Sequence, residues 1–168
     1  SFVSAMLGIA VADGRIDSIH DPVDKYLPEL AGSGYAGVSI KDVLQMSSGV
    51  RWNEDYADPQ SDIFRFAHVM ATGSSFAAFP VTLTRQHEPG TFNRYNSTDT
   101  IVLGMLLERV TGTTLAQYMQ ERLWGPIGAT KDAYWLTDDH GMAFASGGLN
   151  ATARDFARIG ELYRKGGR

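Results

Sequence analysis

The chain contains no cysteine. Disulfides, thiolate nucleophiles and cysteine-based metal sites are excluded with it. Basic clusters are missing too: 15 Lys and Arg stand against 19 Asp and Glu, for a net charge of −4. Nucleic acid and anionic membrane surfaces are therefore poor partners. The four histidines, at 20, 68, 87 and 140, lack ligand spacing, which argues against a zinc site. The apolar opening SFVSAMLGIAVADG is too short to cross a bilayer, and without a charged leading region it does not read as a signal peptide. Catalytic signatures are equally scarce. Neither Gly-x-Ser-x-Gly nor Ser-x-x-Lys occurs, FASGG at 144–148 is no substitute, and no glycine-rich phosphate loop appears. The adjacent acids Asp138 and Asp139 read as solvated. Strand signals are few and short, and there is no repeat, linker or low-complexity segment.

What is present is a succession of helical patterns in a chain of 168 residues, 43% hydrophobic and 20% charged, long enough for one domain with a core. Residues 1–12 predict a buried helix, with Phe2, Val3, Met6, Leu7, Ile9 and Ala10 in a helical pattern and Asp13-Gly14 as the stop. Asp21-Pro22 predicts a turn of helix. Ser39 and Asp42 form a capping box before the short helix VLQM, which Ser47-Ser48-Gly49 ends. Residues 51–59 read as a polar loop carrying Trp52 and Tyr56. Ile63, Phe64, Ala67 and Met70 predict the inner face of a helix over 61–71, and 73–90 reads as irregular. An apolar helix follows over 99–110, stopped by Thr111-Gly112. An amphipathic one over 114–124 rests on Leu115, Tyr118, Met119 and Leu123. Trp135 falls in a loop, 146–150 in a glycine-rich turn, and Thr152 with Asp155 caps a last helix through Phe156, Ile159 and Tyr163.

Tyr95-Asn96-Ser97, just before the apolar helix, admits two readings. One is an aromatic beside a helix cap, since Ser and Asn favour that position. The other is a tyrosine held at a helix N-terminus to move protons. Trp52 and Trp135 read as loop anchors, Gly147 and Gly148 as a turn, and His87 and His140 as structural.

Several segments in order resemble the serine β-lactamase and penicillin-binding-protein-like hydrolases of the class C-like branch. They are SFVSAMLGIAVADGRI, DPVDKYLPEL, VSIKDVLQMSSGV, PGTFNRYNSTDTIVLGMLLERVTG, WGPIGATKDAYW and GGLNATARDFARIGELY. Together they cover nearly the whole chain, and are most similar to the 6-aminohexanoate-dimer hydrolase and carboxylesterase branch. The resemblance implies an α+β, β-lactamase/transpeptidase-like parent fold, of which residues 1–168 form the mostly helical part of a single domain. It implies that Ser1 follows the lysine of a Ser-x-x-Lys motif, that sheet strands lie beyond Arg168, and that this chain alone is inactive.

It further implies a serine hydrolase acting on a small-molecule amide or ester through an acyl-enzyme, with no metal and no cofactor. Tyr95 matches the catalytic tyrosine of a Tyr-x-Asn motif. Ser97 stands where that motif has asparagine and Asn96 one place early, so both are candidate substrate-binding residues. Tyr56 resembles a substrate-contacting loop tyrosine. Ser97 lacks the paired donor and acceptor of an amide, which favours a short amide or ester over a β-lactam. β-Lactamase activity, D-Ala-D-Ala peptidase activity and a non-catalytic helical binding module stay open as alternatives. Without the central sheet, helices 1–12 and 99–110 are expected to expose apolar faces and to self-associate through them.

Overall fold

The computed structural model describes residues 2–167. Ser1, expected to follow a catalytic lysine, lies outside them. Seven α-helices are described: α1 (Phe2–Ala12), α2 (Ile40–Leu44), α3 (Asp62–Ala71), α4 (Ala78–Val81), α5 (Ser97–Thr111), α6 (Leu115–Met119) and α7 (Ala153–Arg164). Two short strands, β1 (Tyr134–Trp135) and β2 (Leu149–Asn150), pair antiparallel with Trp135 opposite Leu149. Trp135 is thus in a strand, not a free loop. It is still an anchor, because its Nε1 donates to the carbonyls of Phe144 and Gly147, each at 2.8 Å.

The capping signals hold. Ser39 Oγ accepts from Asp42 N at 3.0 Å and Thr152 Oγ1 from Asp155 N at 3.2 Å. Gly112, at φ 71°, closes α5 in the left-handed conformation that costs glycine least. In α1, Val3, Met6, Leu7 and Ala10 face the core at the i, i+3, i+4, i+7 spacing of one helical face.

Three helical expectations need correcting. In α3 the buried positions are Asp62 and Phe66, while Phe64 is exposed. Phe66 turns inward because Phe76, Phe79 and Phe144 surround it, with ring centroids 5.1–5.9 Å away. The helix expected over 114–124 is α6 followed by a wide π turn over Gln120–Trp124, and this turn presents both Leu123 and Trp124 to the core. Residues 73–90 are not wholly irregular, since α4 lies among them.

The expected exposed faces also divide. Every residue of α5 from Ile101 to Leu107 is buried, so α5 presents no bare apolar side. It packs against α1, α2, α4 and α6. At Gly104 a Cβ would come within 2.6 Å of Ala145 Cβ, showing how closely the 142–145 segment lies on the helix. The outer face of α1 is different. Ser4, Ala5, Gly8, Ile9 and Ala12 line a groove whose other walls include Leu123, Pro126 and Ile127 and, on α7, Leu162 and Tyr163.

Asp138 is not solvated. It is buried and accepts from the backbone amides of Phe76 at 2.8 Å and Met142 at 2.9 Å. Among the described residues no helix is long and apolar enough to cross a membrane.

Two tight features fix the segment that leads to α5. Gly49 takes φ 74°, and a Cβ there would fall 2.1 Å from the His87 carbonyl oxygen. Below the first turn of α5, Tyr35 Oη and Ser48 Oγ donate to Asp99 Oδ1 at 2.9 and 2.8 Å. Tyr35 Oη also lies 3.0 Å from Thr98 Oγ1. Burial pushes the Asp99 carboxyl up to about 7, against the lowering effect of the bonds from Ser48 and then Tyr35.

Two predictions follow for the full-length protein. Gly49→Ala combines a forbidding φ with a backbone clash and should destabilise by more than about 2 kcal/mol, read by urea denaturation; a loss below a quarter of that would contradict the tight approach. For Asp99, the folded protein keeps the proton that the unfolded chain loses above pH about 4. Its contribution to stability is therefore full at low pH and declines as pH rises toward 7. Asp99→Asn cannot titrate, so its stability relative to wild type should rise by on the order of 2 kcal/mol between pH 4.5 and pH 8. Parallel pH profiles would show that Asp99 is ionised in the fold.

Candidate active site

The N-terminus of α5 needs acceptors for the amides of its first turn, which have no partners within the helix. Asn96 supplies two. Its Oδ1 accepts from Thr98 N at 2.9 Å and from Thr98 Oγ1 at 2.6 Å, and its carbonyl accepts from Asp99 N at 3.1 Å. Only 2% of Asn96 is exposed. Its Oδ1 is committed to the cap, while its buried Nδ2 has no hydrogen-bond partner among the described residues.

The remaining first-turn amide, that of Ser97, donates to Glu54 Oε2 at 3.2 Å. Ser97 Oγ donates to Glu54 Oε1 at 2.7 Å, and Tyr56 Oη donates to the same oxygen at 2.9 Å. Trp52 Nε1 donates to Glu54 Oε2. One carboxylate therefore ties Trp52 and Tyr56 of the 51–59 loop to the start of α5. Ser97 is itself buried by this arrangement.

The loop is stiffened by short side-chain turns. Asp55 N donates to Asn53 Oδ1, Ala57 N to Asp55 Oδ1 and Gln60 N to Asp58 Oδ1, at 2.8–3.0 Å. Asp62, at the start of α3, accepts from Asn53 N at 2.9 Å and pairs with Arg65 at 2.6 Å. Trp52, 2% exposed, packs edge-on to Phe79 and anchors the loop from below.

Tyr95 precedes the cap and is 57% exposed; Tyr56 is 68% exposed. The segment before Tyr95 is held from several sides. Arg94 N donates to Met46 O at 2.9 Å, its Nη1 to Trp52 O at 3.2 Å, and Asn93 Nδ2 to Gln45 O at 2.7 Å. Phe92 lies between His87, whose ring centroid is 4.7 Å away, and the Arg94 guanidinium, 5.0 Å from the Phe92 ring. Tyr56 is held above its ordinary pKa, first by its hydrogen bond to Glu54, then by burial, the Glu54 charge and the neighbouring Tyr95.

The fold thus gathers Tyr95, Tyr56 and Ser97 at one end of α5 and sets Asn96 beneath them. Glu54 is the residue that sequence reasoning missed. The available signal was the alternation Trp52-x-Glu54-x-Tyr56, which in extended chain puts all three on one side. Asp99, Tyr35 and Ser48 were missed as well. Among the described residues no three His, Asp or Glu side chains stand close enough to hold a metal ion.

Comparison with known proteins identifies the family and the fold. The chain is 37% identical over 176 residues to the 6-aminohexanoate-dimer hydrolase of Paenarthrobacter ureafaciens, a match covering 99% of this chain and 44% of the relative. It is 29% identical over 108 residues to the lovastatin esterase of Penicillium rubens, across 58% of this chain and 24% of that one. Among solved structures, a Bacillus anthracis protein provisionally assigned as a 6-aminohexanoate-dimer hydrolase superposes with a TM-score of 0.86 at 26% identity. That superposition covers 99% of this chain and 46% of the other. The chain therefore spans less than half the length of these relatives and carries the mostly helical part of the β-lactamase/transpeptidase-like fold. The family model described as Beta-lactamase matches residues 1–168, and the chain belongs to that family of serine hydrolases.

Proposed function

We propose that the intact protein is a serine hydrolase that cleaves an amide or ester through an acyl-enzyme, in the manner of the 6-aminohexanoate-dimer hydrolase and carboxylesterase branch. The observation that carries this reading is the exposed Tyr95, fixed immediately before the capped N-terminus of α5, with Tyr56 tethered beside it through Glu54. The similarity of 99% of the chain to a 6-aminohexanoate-dimer hydrolase supports it.

A phenol has a pKa of about 10 and is a poor base at neutral pH. A nearby ammonium favours the phenolate, and the amide ends of a helix N-terminus do so more weakly. In the proposed scheme the Ser and Lys of a Ser-x-x-Lys motif, which residues 1–168 do not contain, act as nucleophile and activating partner. Tyr95 accepts the serine proton as the hydroxyl oxygen attacks the substrate carbonyl. It returns that proton to the leaving nitrogen or oxygen as the tetrahedral species collapses, and water then hydrolyses the acyl-serine. Tyr56 contacts the substrate from the 51–59 loop, and Ser97 borders it where the family motif has asparagine. The loss of the asparagine amide at that place weighs against β-lactam and D-Ala-D-Ala substrates. No step needs a metal or cofactor.

The 168-residue chain alone is inactive in this scheme because it lacks the nucleophile motif, and self-associates through the groove between α1 and α7. Sedimentation giving a monomer would remove the latter.

The test is the full-length protein with p-nitrophenyl esters and a fluorophosphonate probe. Tyr95→Phe should lower kcat by about 10²–10⁴-fold, with the label on a serine preceding Ser1. Unchanged turnover, or a label elsewhere, would overturn the assignment.

A further inference from the structure

We infer that Glu54 is a specificity-determining residue, which biases the site against substrates carrying a negative charge where they lie against Tyr56 and Ser97. The inference rests on the hydrolase reading above.

The argument starts from where the protons are. Ser97 has one hydroxyl proton, and it points to Glu54 Oε1 at 2.7 Å. The Tyr56 hydroxyl proton points to the same oxygen at 2.9 Å. Each hydroxyl has one donor and two acceptor lone pairs. With both donors spent on Glu54, the exposed Tyr56 can offer a substrate only lone pairs, and the buried Ser97 supplies no donor either. The family motif's asparagine would offer a donor as well as an acceptor here. This corner of the site is therefore acceptor-only, with a carboxylate one hydrogen bond behind it.

Among the described residues no cationic side chain pairs with that charge, and the N-terminus of α5 offsets it only in part. Arg65 is paired with Asp62, and Arg94 bonds Trp52 O and Gln86 Oε1. Trp52 Nε1 and Ser97 N satisfy the other carboxylate oxygen without supplying a full positive charge. Such a corner accepts N–H groups, amide or ammonium, and repels carboxylates. A fixed charge in a half-shielded cleft discriminates by about tenfold against a like charge brought to it.

The experiment uses the full-length protein and p-nitrophenyl esters of matched length: hexanoate, the adipate monoanion and 6-aminohexanoate. A second series places the neutral, negative or positive group on the alcohol side of an ester. The readout is the ratio of kcat/KM for the anionic substrate to that for its neutral partner, in which any general loss of activity cancels. Glu54→Gln keeps the shape, and its amide can donate to the two hydroxyls, which then accept. The ratio should rise about tenfold in Glu54→Gln in at least one series and stay within twofold in Ser97→Ala, which leaves the charge in place. In the wild type the anion-to-neutral ratio should also rise with added salt, and it should do so less in Glu54→Gln. An unchanged ratio in both series overturns the inference and leaves the hydrolase reading standing. A flat salt response in the wild type overturns it without any variant. Absence of turnover in every ester removes the hydrolase reading itself, and this inference with it.

Discussion

The first-turn amides of α5 are the constraint from which the rest of the site is built. A helix whose body is enclosed from Ile101 to Leu107 cannot leave those donors to water. Three of them find acceptors within the chain: Ser97 N at Glu54, Thr98 N at the Asn96 side chain and Asp99 N at the Asn96 carbonyl. The choice of acceptors decides the geometry. Using Asn96 as cap turns its Oδ1 inward and leaves Tyr95, the residue before the cap, exposed. Using Glu54 draws the 51–59 loop onto the helix end and brings Tyr56 with it. One requirement for hydrogen-bond partners thus accounts for the placement of both tyrosines.

The underside of the same turn is held by a group that ordinarily prefers water. Asp99 sits at the third helical position with two hydroxyls, Tyr35 and Ser48, donating to one of its oxygens. Removing an ionised carboxylate from water costs more than two neutral hydrogen bonds return, which is why burial moves this acid toward neutrality. A protonated Asp99 reduces that cost while keeping Oδ1 as the acceptor that joins the 47–50 turn to Tyr35. The network links segments distant in sequence, so it stiffens the base of the site in the way a local turn cannot.

How much of this was legible depends on the range of the interaction. The inward face of α1, the capping pairs at Ser39 and Thr152 and the stop at Gly112 are local, each written within a few residues, and the sequence shows them directly. Tyr95 and Tyr56 were singled out through resemblance, and their roles are part of the proposal. The inner face of α3 was misread by about one position because Phe66 is selected by three phenylalanines far away in the chain. Asp138 looked solvated beside Asp139 because nothing local announces the Phe76 amide that holds it. Glu54 pairs with Ser97 and Asp99 with Tyr35 across separations of 43 and 64 residues. Such contacts have no period and no cap signature.

That distribution bears on how the parts of the proposed site are divided. The hydrogen bonds described around Tyr95, Tyr56 and the Ser97 side chain come from residues 45–97, while Tyr35 and the helices packed on α5 support the base of the same turn, and the chain spans less than half the length of its relatives. Gly49 against His87, Asn93 on Gln45, Arg94 on Met46 and Trp52, and Glu54 on Ser97 are all internal to that segment. In the proposed scheme the tyrosine side of the cleft is therefore held within the helical region, whichever element delivers the nucleophile. Proton transfer depends on geometry fixed to a fraction of an ångström. In the proposed scheme this wall supplies part of that precision.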